Sequence, residues 1–362
     1  MRTTNSSGLY LYAIIPNQVD LVFEVETADD DSGVYTISHA GLSVVVSPSS
    51  QVDYRSLKRA DAARYLVAHQ RVVEKVMQDF SLLPVRFGTV LEDEKQVHRL
   101  LEQGESIFHA VLEKFKGQIQ FEVAVLWNVQ SVFQAIAQTE PVLQLKAQIG
   151  NRPAEETLSQ RVALGQLVQS MLENCRQSLQ KIILPVLRET AKDMVINPLM
   201  DDGMVLNAAL LVDEAGRLAM EKCLEALDGA FERNKSQLPG ETQLIFRCVG
   251  PLPLYSFATV DVHALPFAAV DAARRSLGLA ETVAPEDIKS AYRQKAGQVH
   301  PDHNPALPDA ELKMAELTGA YQLLTAYSNS ATKPCTFNRT AVEQTLLVAV
   351  QRQSESVPSN PT

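Results

Sequence analysis

Over the first fifty residues apolar positions come in short runs. Residues 9–15, 33–38 and 42–47 predict three strands, bounded by Pro16, Gly33, Gly41 and Pro48. Between residues 54 and 80 the period changes. Ala62, Leu66, His69, Val73, Val76 and Phe80 recur every three or four positions, which predicts a helix that ends before Pro84. Val85, Phe87 and Thr89 then alternate with Arg86, Gly88 and Val90 as a further strand. Val97, Leu100, Leu101, Ile107, Val111, Leu112 and Phe115 predict a second helix. This order predicts a small sheet with helices on one side.

A second unit begins near residue 117. Ile119, Phe121, Val123, Val125 and Trp127 share one face of a strand. Helical patterns follow over about 129–149 and 153–190. Residues 204–212 form a strand apolar on both faces, 217–231 a helix, and 242–249 a closing strand. Strand, helices, strand, helix and strand suggest a ferredoxin-like plait with a long helical insertion. Residues 263–328 are helical in pattern throughout. From 329 to 362 the pattern gives a short amphipathic turn (Val342, Leu346, Leu347, Val350) and then a polar end. The expected domains are therefore 1–116 and 117–262, both α+β, a helical domain at 265–328, and a flexible tail at 329–362.

Composition narrows the function. The 362 residues carry 43 acidic against 33 basic side chains, a net charge of −10. Such a chain is a poor general binder of phosphate backbones, and no strand interleaves aromatic with basic residues, so nucleic acid is not an expected partner. No apolar run approaches the length of a membrane span. The four cysteines, Cys175, Cys223, Cys248 and Cys335, lie far apart, which suits a reducing, cytoplasmic setting and argues against structural zinc. Glycine-rich phosphate loops, nucleophile elbows and paired-histidine zinc motifs are all missing. His69 lies on an apolar helix face, as a core histidine does, and Arg86 suits a structural ion pair. The expectation is a protein that is not an enzyme, with no catalytic residue, no metal site and no cofactor.

The densest signal is Ala284-Pro-Glu-Asp-Ile-Lys-Ser-Ala-Tyr-Arg-Gln-Lys-Ala-Gly-Gln-Val-His-Pro-Asp-His-Asn304. Pro285 suits the first helical position, and Glu286 and Asp287 complement the positive end of the helix dipole. Ile288, Ala291, Tyr292, Ala296 and Val299 form an apolar stripe. Lys289 and Arg293 share a face, and Lys295 is expected beside it. The helix must stop at His300, because Pro301 disfavours helical geometry before it. Met314, Leu317, Ala320, Tyr321 and Leu324 predict a second helix that packs against the first.

This segment resembles the J domain of Hsp70 co-chaperones. Ser276-Leu-Gly-Leu279 is similar to the end of that family's first helix, and Ala320-Tyr-Gln-Leu-Leu324 to the core of its third. The resemblance implies that the loop His300, Pro301, Asp302 and the basic residues Lys289, Arg293 and Lys295 bind Hsp70. Departures are Ala273 and Arg274 in place of an aromatic pair, Gly297 inside the helix, Gln298 for a basic residue, and no basic fourth segment. The alternative is a hairpin that serves only packing or protein contact.

Four further stretches, in order, resemble the gas vesicle protein F/L family. They are Leu9-Tyr-Leu-Tyr-Ala-Ile-Ile15; His69 to Met77 with Leu83-Pro-Val-Arg-Phe-Gly-Thr89; Phe121-Glu-Val-Ala-Val-Leu-Trp127; and Leu206-Asn-Ala-Ala-Leu-Leu-Val212 with Gly250-Pro-Leu-Pro-Leu-Tyr-Ser-Phe257. The resemblance implies an α+β protein with two ferredoxin-like α/β-plait domains followed by an all-α J-like hairpin. It implies an accessory role in gas vesicle formation, with the hydrophobic shell protein, other gas vesicle accessory proteins and Hsp70 as partners. The implied location is the cytoplasm, on nascent or finished vesicles. The alternative function is an Hsp70 co-chaperone for a different client.

Overall fold

The computed structural model describes residues 8–27, 33–49, 54, 57–300, 309–331 and 334–353. Two units divide the chain, Met1–Lys114 with Ala258–Gln351, and Phe115–Phe257 with Arg352–Thr362.

The first unit opens with β1 (Gly8–Pro16), β2 (Val22–Phe23), β3 (Val34–His39) and β4 (Leu42–Ser49), then α1 (Arg59–Met77), β5 (Leu83–Pro84), β6 (Val90–Leu91) and α2 (Glu94–Lys114). The antiparallel sheet runs β2-β3-β4-β1-β5, and β6 also pairs with β1. Ala40 and Gly41, both at positive φ, form the two-residue turn between β3 and β4; the left-handed conformation explains Gly41. The helices do not share one side of this sheet, as the order of elements suggested. Tyr10 pairs with Ser47 and faces α1, where its hydroxyl meets His69. The adjacent row, Leu11 with Val46 and Tyr35, belongs to the opposite face, on which His39 meets His98 of α2. Coverage on both faces is why β1 is apolar at successive positions and buried from Gly8 to Ile15.

The second unit comprises β7 (Gln118–Trp127), α3 (Val129–Ala137), α4 (Glu140–Ile149), α5 (Leu158–Thr190), β8 (Asp193–Ile196), β9 (Met204–Asp213), α6 (Arg217–Arg233) and β10 (Leu244–Leu252). The antiparallel order β10-β7-β9-β8 with βαββαβ connectivity is the ferredoxin-like plait, its first crossover enlarged to three helices. Two of those helices replace the single one expected over 129–149. Asn128 caps α3 through its side chain, and Pro141 starts α4 after a break at Gln138 and Thr139. β8 was not anticipated. Phe121, Val123, Val125 and Trp127 of β7 pack on Leu179, Ile183 and Leu187 of α5 and on Leu224, Leu227 and Phe231 of α6.

The chain then returns to the first unit with β11 (Thr259–Ala264), α7 (Phe267–Leu277), β12 (Thr282–Val283), α8 (Pro285–Val299), α9 (Ala310–Ser330), β13 (Cys335–Thr336), α10 (Arg339–Gln344) and β14 (Leu346–Gln351). Two expectations change here. Residues 258–262, expected at the end of the second domain, belong to the first unit, where the unanticipated strand β11 runs into the segment expected to be helical. The described part of the expected tail is built into the fold, because β14 pairs with β11 over six residues, from Thr259–Gln351 to Ala264–Leu346. The three helices α7 to α9 are thus looped out between two strands that hydrogen-bond to each other. β11 in turn lies beside the segment after β5: Val85 bridges Val260, and the Arg86 N–H donates to the Val260 carbonyl at 2.9 Å.

Candidate functional site

The helices α8 and α9 form the expected hairpin. The Asp287 carboxylate accepts the Ala284 N–H at 2.9 Å, which closes the first turn of α8. Ile288 is buried, and Tyr292 stacks on Tyr321 with ring centroids 4.4 Å apart. Val270, Leu277, Leu317, Leu324, Tyr327, Phe337 and Val342 complete the core beneath. The apolar stripe of α8 therefore faces α7 and α9, and its opposite side faces solvent.

Lys289 and Arg293 stand on that solvent side, four residues apart and exposed. Neither forms an ion pair among the described residues, so both positive charges are presented outward. Lys295 does not join them. Two residues beyond Arg293 is about 160° around the helix, so Lys295 falls on the flank turned toward α7. Its half-buried stem lies against Gly278, with Cε 3.7 Å and Nζ 3.9 Å from the place a Cβ would occupy there. Gly278 is the left-handed cap of α7, so the ammonium sits by the negative end of that helix dipole. The basic face is two residues wide, and the Lys295 side chain packs beside the turn after α7.

α8 ends at Val299 and His300 is its cap, in extended geometry, its N–H donating to the Ala296 carbonyl at 2.9 Å. His300 borders an open groove shared with Glu311, Met314, Thr318 and Gln322 of α9. Pro301 and Asp302 lie outside the described residues.

Sequence reasoning missed the ionic closure of α7. Arg274, one of the departures from the J-family pattern, donates to Asp271 at 2.8 and 3.0 Å and to the Leu279 carbonyl at 2.7 Å. Arg275 pairs with the other Asp271 oxygen, and these two guanidiniums, Arg274 foremost, hold the Asp271 carboxyl below its ordinary range. The i, i+3 and i, i+4 spacing of Asp271 with Arg274 and Arg275 was the available signal.

The two singled-out residues of the first sheet have structural settings. His69 stacks on Tyr12 and accepts from or donates to the Tyr10 hydroxyl at 3.0 Å, and burial lowers its pKa to about 4. Arg86 pairs with Asp261 of β11 at 3.0 Å and donates to Gln351 of β14 at 2.7 Å. Asp261 is only 3% exposed and also meets His263 Nε2 at 2.9 Å. One arginine thus ties both strands that flank the helical region to the edge of the sheet. Among the described residues no group of three His, Cys, Asp or Glu side chains is placed to hold a metal, and no helix is long and apolar enough to cross a membrane.

Comparison with known proteins covers both parts of the chain. The family profile "Gas vesicle synthesis protein GvpL/GvpF" matches residues 8–259, and the DnaJ domain profile matches 275–331. Gas vesicle protein F of Nostoc sp. strain PCC 7120 is 26% identical over 230 residues, spanning 63% of this chain and 91% of that protein. A chaperone protein DnaJ from Paramagnetospirillum magneticum is 50% identical over 48 residues, 13% of this chain and 12% of that one. The crystal structure of GvpF from Microcystis aeruginosa superposes with a TM-score of 0.53 at 25% identity, covering 69% of this chain and 98% of that one. That of Anabaena sp. PCC7120 gives a TM-score of 0.56 at 24% identity, covering 69% and 98%.

Proposed function

We propose, from the premise that the chain belongs to the gas vesicle synthesis protein GvpL/GvpF family and carries a DnaJ domain, that it is a non-enzymatic assembly factor. It binds the hydrophobic shell protein during gas vesicle formation and recruits Hsp70 to the same complex. The wall of a gas vesicle excludes water from its gas face, so its subunit exposes a large apolar surface until it polymerises, and such a surface aggregates unless it is covered. The site of action is the cytoplasm, at nascent or finished vesicles, with other gas vesicle accessory proteins as further partners.

The observation that carries this reading is the open pair Lys289 and Arg293, presented by a J-like hairpin on a chain whose residues 8–259 match a gas vesicle family. An exposed cationic ridge steers encounter with an acidic partner surface. The test is pressure-sensitive light scattering of the host after deletion of the gene, with wild-type and Asp302→Asn genes restored. The wild-type gene is expected to restore scattering that collapses under pressure. Asp302→Asn is expected to restore it poorly and to lose stimulation of the host Hsp70 ATPase. Full scattering in the deletion strain would overturn the assembly role, and equal ATPase stimulation by the mutant would overturn Hsp70 recruitment.

A further inference from the structure

Strand β10 is an edge. It pairs with β7 on one side, from Leu244–Trp127 to Leu252–Gln120, and among the described residues nothing hydrogen-bonds to its other side. An unpaired strand edge is a row of backbone donors and acceptors that only another extended chain can satisfy in series. Natural edges are commonly guarded by lysine, by proline or by a covering element. Pro251 guards the far end of this one, and over residues 244–249 the strand has a single charge, Arg247.

The side chains say which strand would fit. Ile245, Arg247 and Val249 lie on the sheet face turned away from the helix-packed core. Opposite them in β7 are Leu126, Ala124 and Glu122. Ile245 is 48% and Val249 57% exposed, high values for aliphatic side chains in a strand. Arg247 is exposed between them and forms no ion pair among the described residues. The nearest acid across the ladder, Glu122, is already engaged by Gln120 at 2.6 Å and Asn197 at 3.3 Å. From these observations we infer that the free edge of β10 is a docking site for an extended partner segment that carries an acidic residue between two aliphatic ones at two-residue spacing. The acid lies opposite Arg247, and the aliphatic side chains lie opposite Ile245 and Val249.

A second copy of this chain is the poorer occupant. Antiparallel self-pairing about the middle of the exposed run sets one Arg247 against another, and like charges directly opposite destabilise a strand pair. This inference stands apart from the gas vesicle reading, since it uses only the edge and its three outward side chains.

The test uses the full chain and a fluorescein-labelled synthetic peptide, Thr-Val-Thr-Glu-Thr-Val-Thr, against the same peptide with Lys at its centre, read by fluorescence anisotropy. The Glu peptide is expected to bind about three- to fivefold more tightly, the upper part of the range for one favourable cross-strand charge pair. Arg247→Glu is expected to invert that preference, which also shows that the variant is folded. N-methylation of the peptide nitrogens that face β10 is expected to abolish binding. Equal affinity for the two peptides, an unchanged preference in Arg247→Glu, or full binding by the N-methylated peptide would each overturn the inference. So would a dimer of the peptide-free chain in sedimentation that Ile245→Lys dissociates, because the edge would then belong to a second copy.

Discussion

Replacing Arg86 by methionine tests how the helical region is fastened to the first sheet. The pair it breaks is asymmetric: the Asp261 side chain is 4% exposed and that of Arg86 50%. Breaking a fully buried pair by removing one partner costs about 3–5 kcal/mol, whereas exposed pairs contribute about 0–1. With one member buried and the other half in solvent, Arg86→Met is expected to cost about 2 kcal/mol. The loss of the Gln351 contact adds roughly 1 kcal/mol at most. Asp261→Asn keeps the shape of the side chain and leaves a guanidinium that water can reach, so it is expected to cost about 1 kcal/mol or less. The sole tryptophan, Trp127, lies in the other unit, so its fluorescence is a poor reporter here. Hydrogen–deuterium exchange read by mass spectrometry is the suitable assay. Amides of 259–264 and 346–351 are expected to exchange about tenfold to a hundredfold faster in Arg86→Met, by the usual factor of ten per 1.4 kcal/mol. In Asp261→Asn the acceleration stays below tenfold, and β7 and β9 are unchanged in both variants. Equal acceleration in the two variants would show that leaving the buried Asp261 carboxylate with His263 as its one remaining partner is not what the arginine prevents.

Burial keeps His69 neutral in the native state down to about pH 4, while the unfolded chain protonates it near 6.5. The unfolded state then binds the extra proton, so stability falls as pH drops from about 6.5 to about 4, by roughly 3 kcal/mol over the whole interval. His69→Gln is expected to shrink the difference in first-unit stability between pH 7 and pH 4.5, measured by exchange of β1 and α1, and an undiminished difference would refute this. Arg293→Glu is expected to weaken Hsp70 binding about tenfold; Lys295→Met leaves that binding intact and instead speeds exchange at the α7–α8 turn. A chain ended at Ala331 loses Phe337 and Val342 from the helical core and leaves β11 without its six-residue pairing to β14. Its α7 to α9 region is expected to become sensitive to brief trypsin treatment, and undiminished protection would show that β14 is not what closes the region.

Local pattern carried the elements whose packing is local. The apolar stripe of α8, the stop before Pro301 and the 3.6-residue spacing of α9 all follow from nearest neighbours along the chain. β8 was hidden because four residues, Asp193-Met-Val-Ile196, have too short a pattern to compete with the long helix before them. Residues 346–350 fit a helical spacing as well as a strand, and only a partner some eighty positions earlier decides for the strand. The ties of Arg86 are longer still; the one to Gln351 spans 265 positions, beyond the reach of any periodicity. Lys295 is the opposite case, since counting 100° per residue already sets it apart from Lys289 and Arg293. The missed long-range pairs change the meaning of the helical region. A hairpin joined by a linker would sample many positions. Here α7 to α9 leave from β11 and return to β14, and six paired residues join those strands. A partner drawn to Lys289 and Arg293 is therefore held at a set place on the unit that contains β1, and weakening the β11–β14 pair should uncouple the two without altering the hairpin itself.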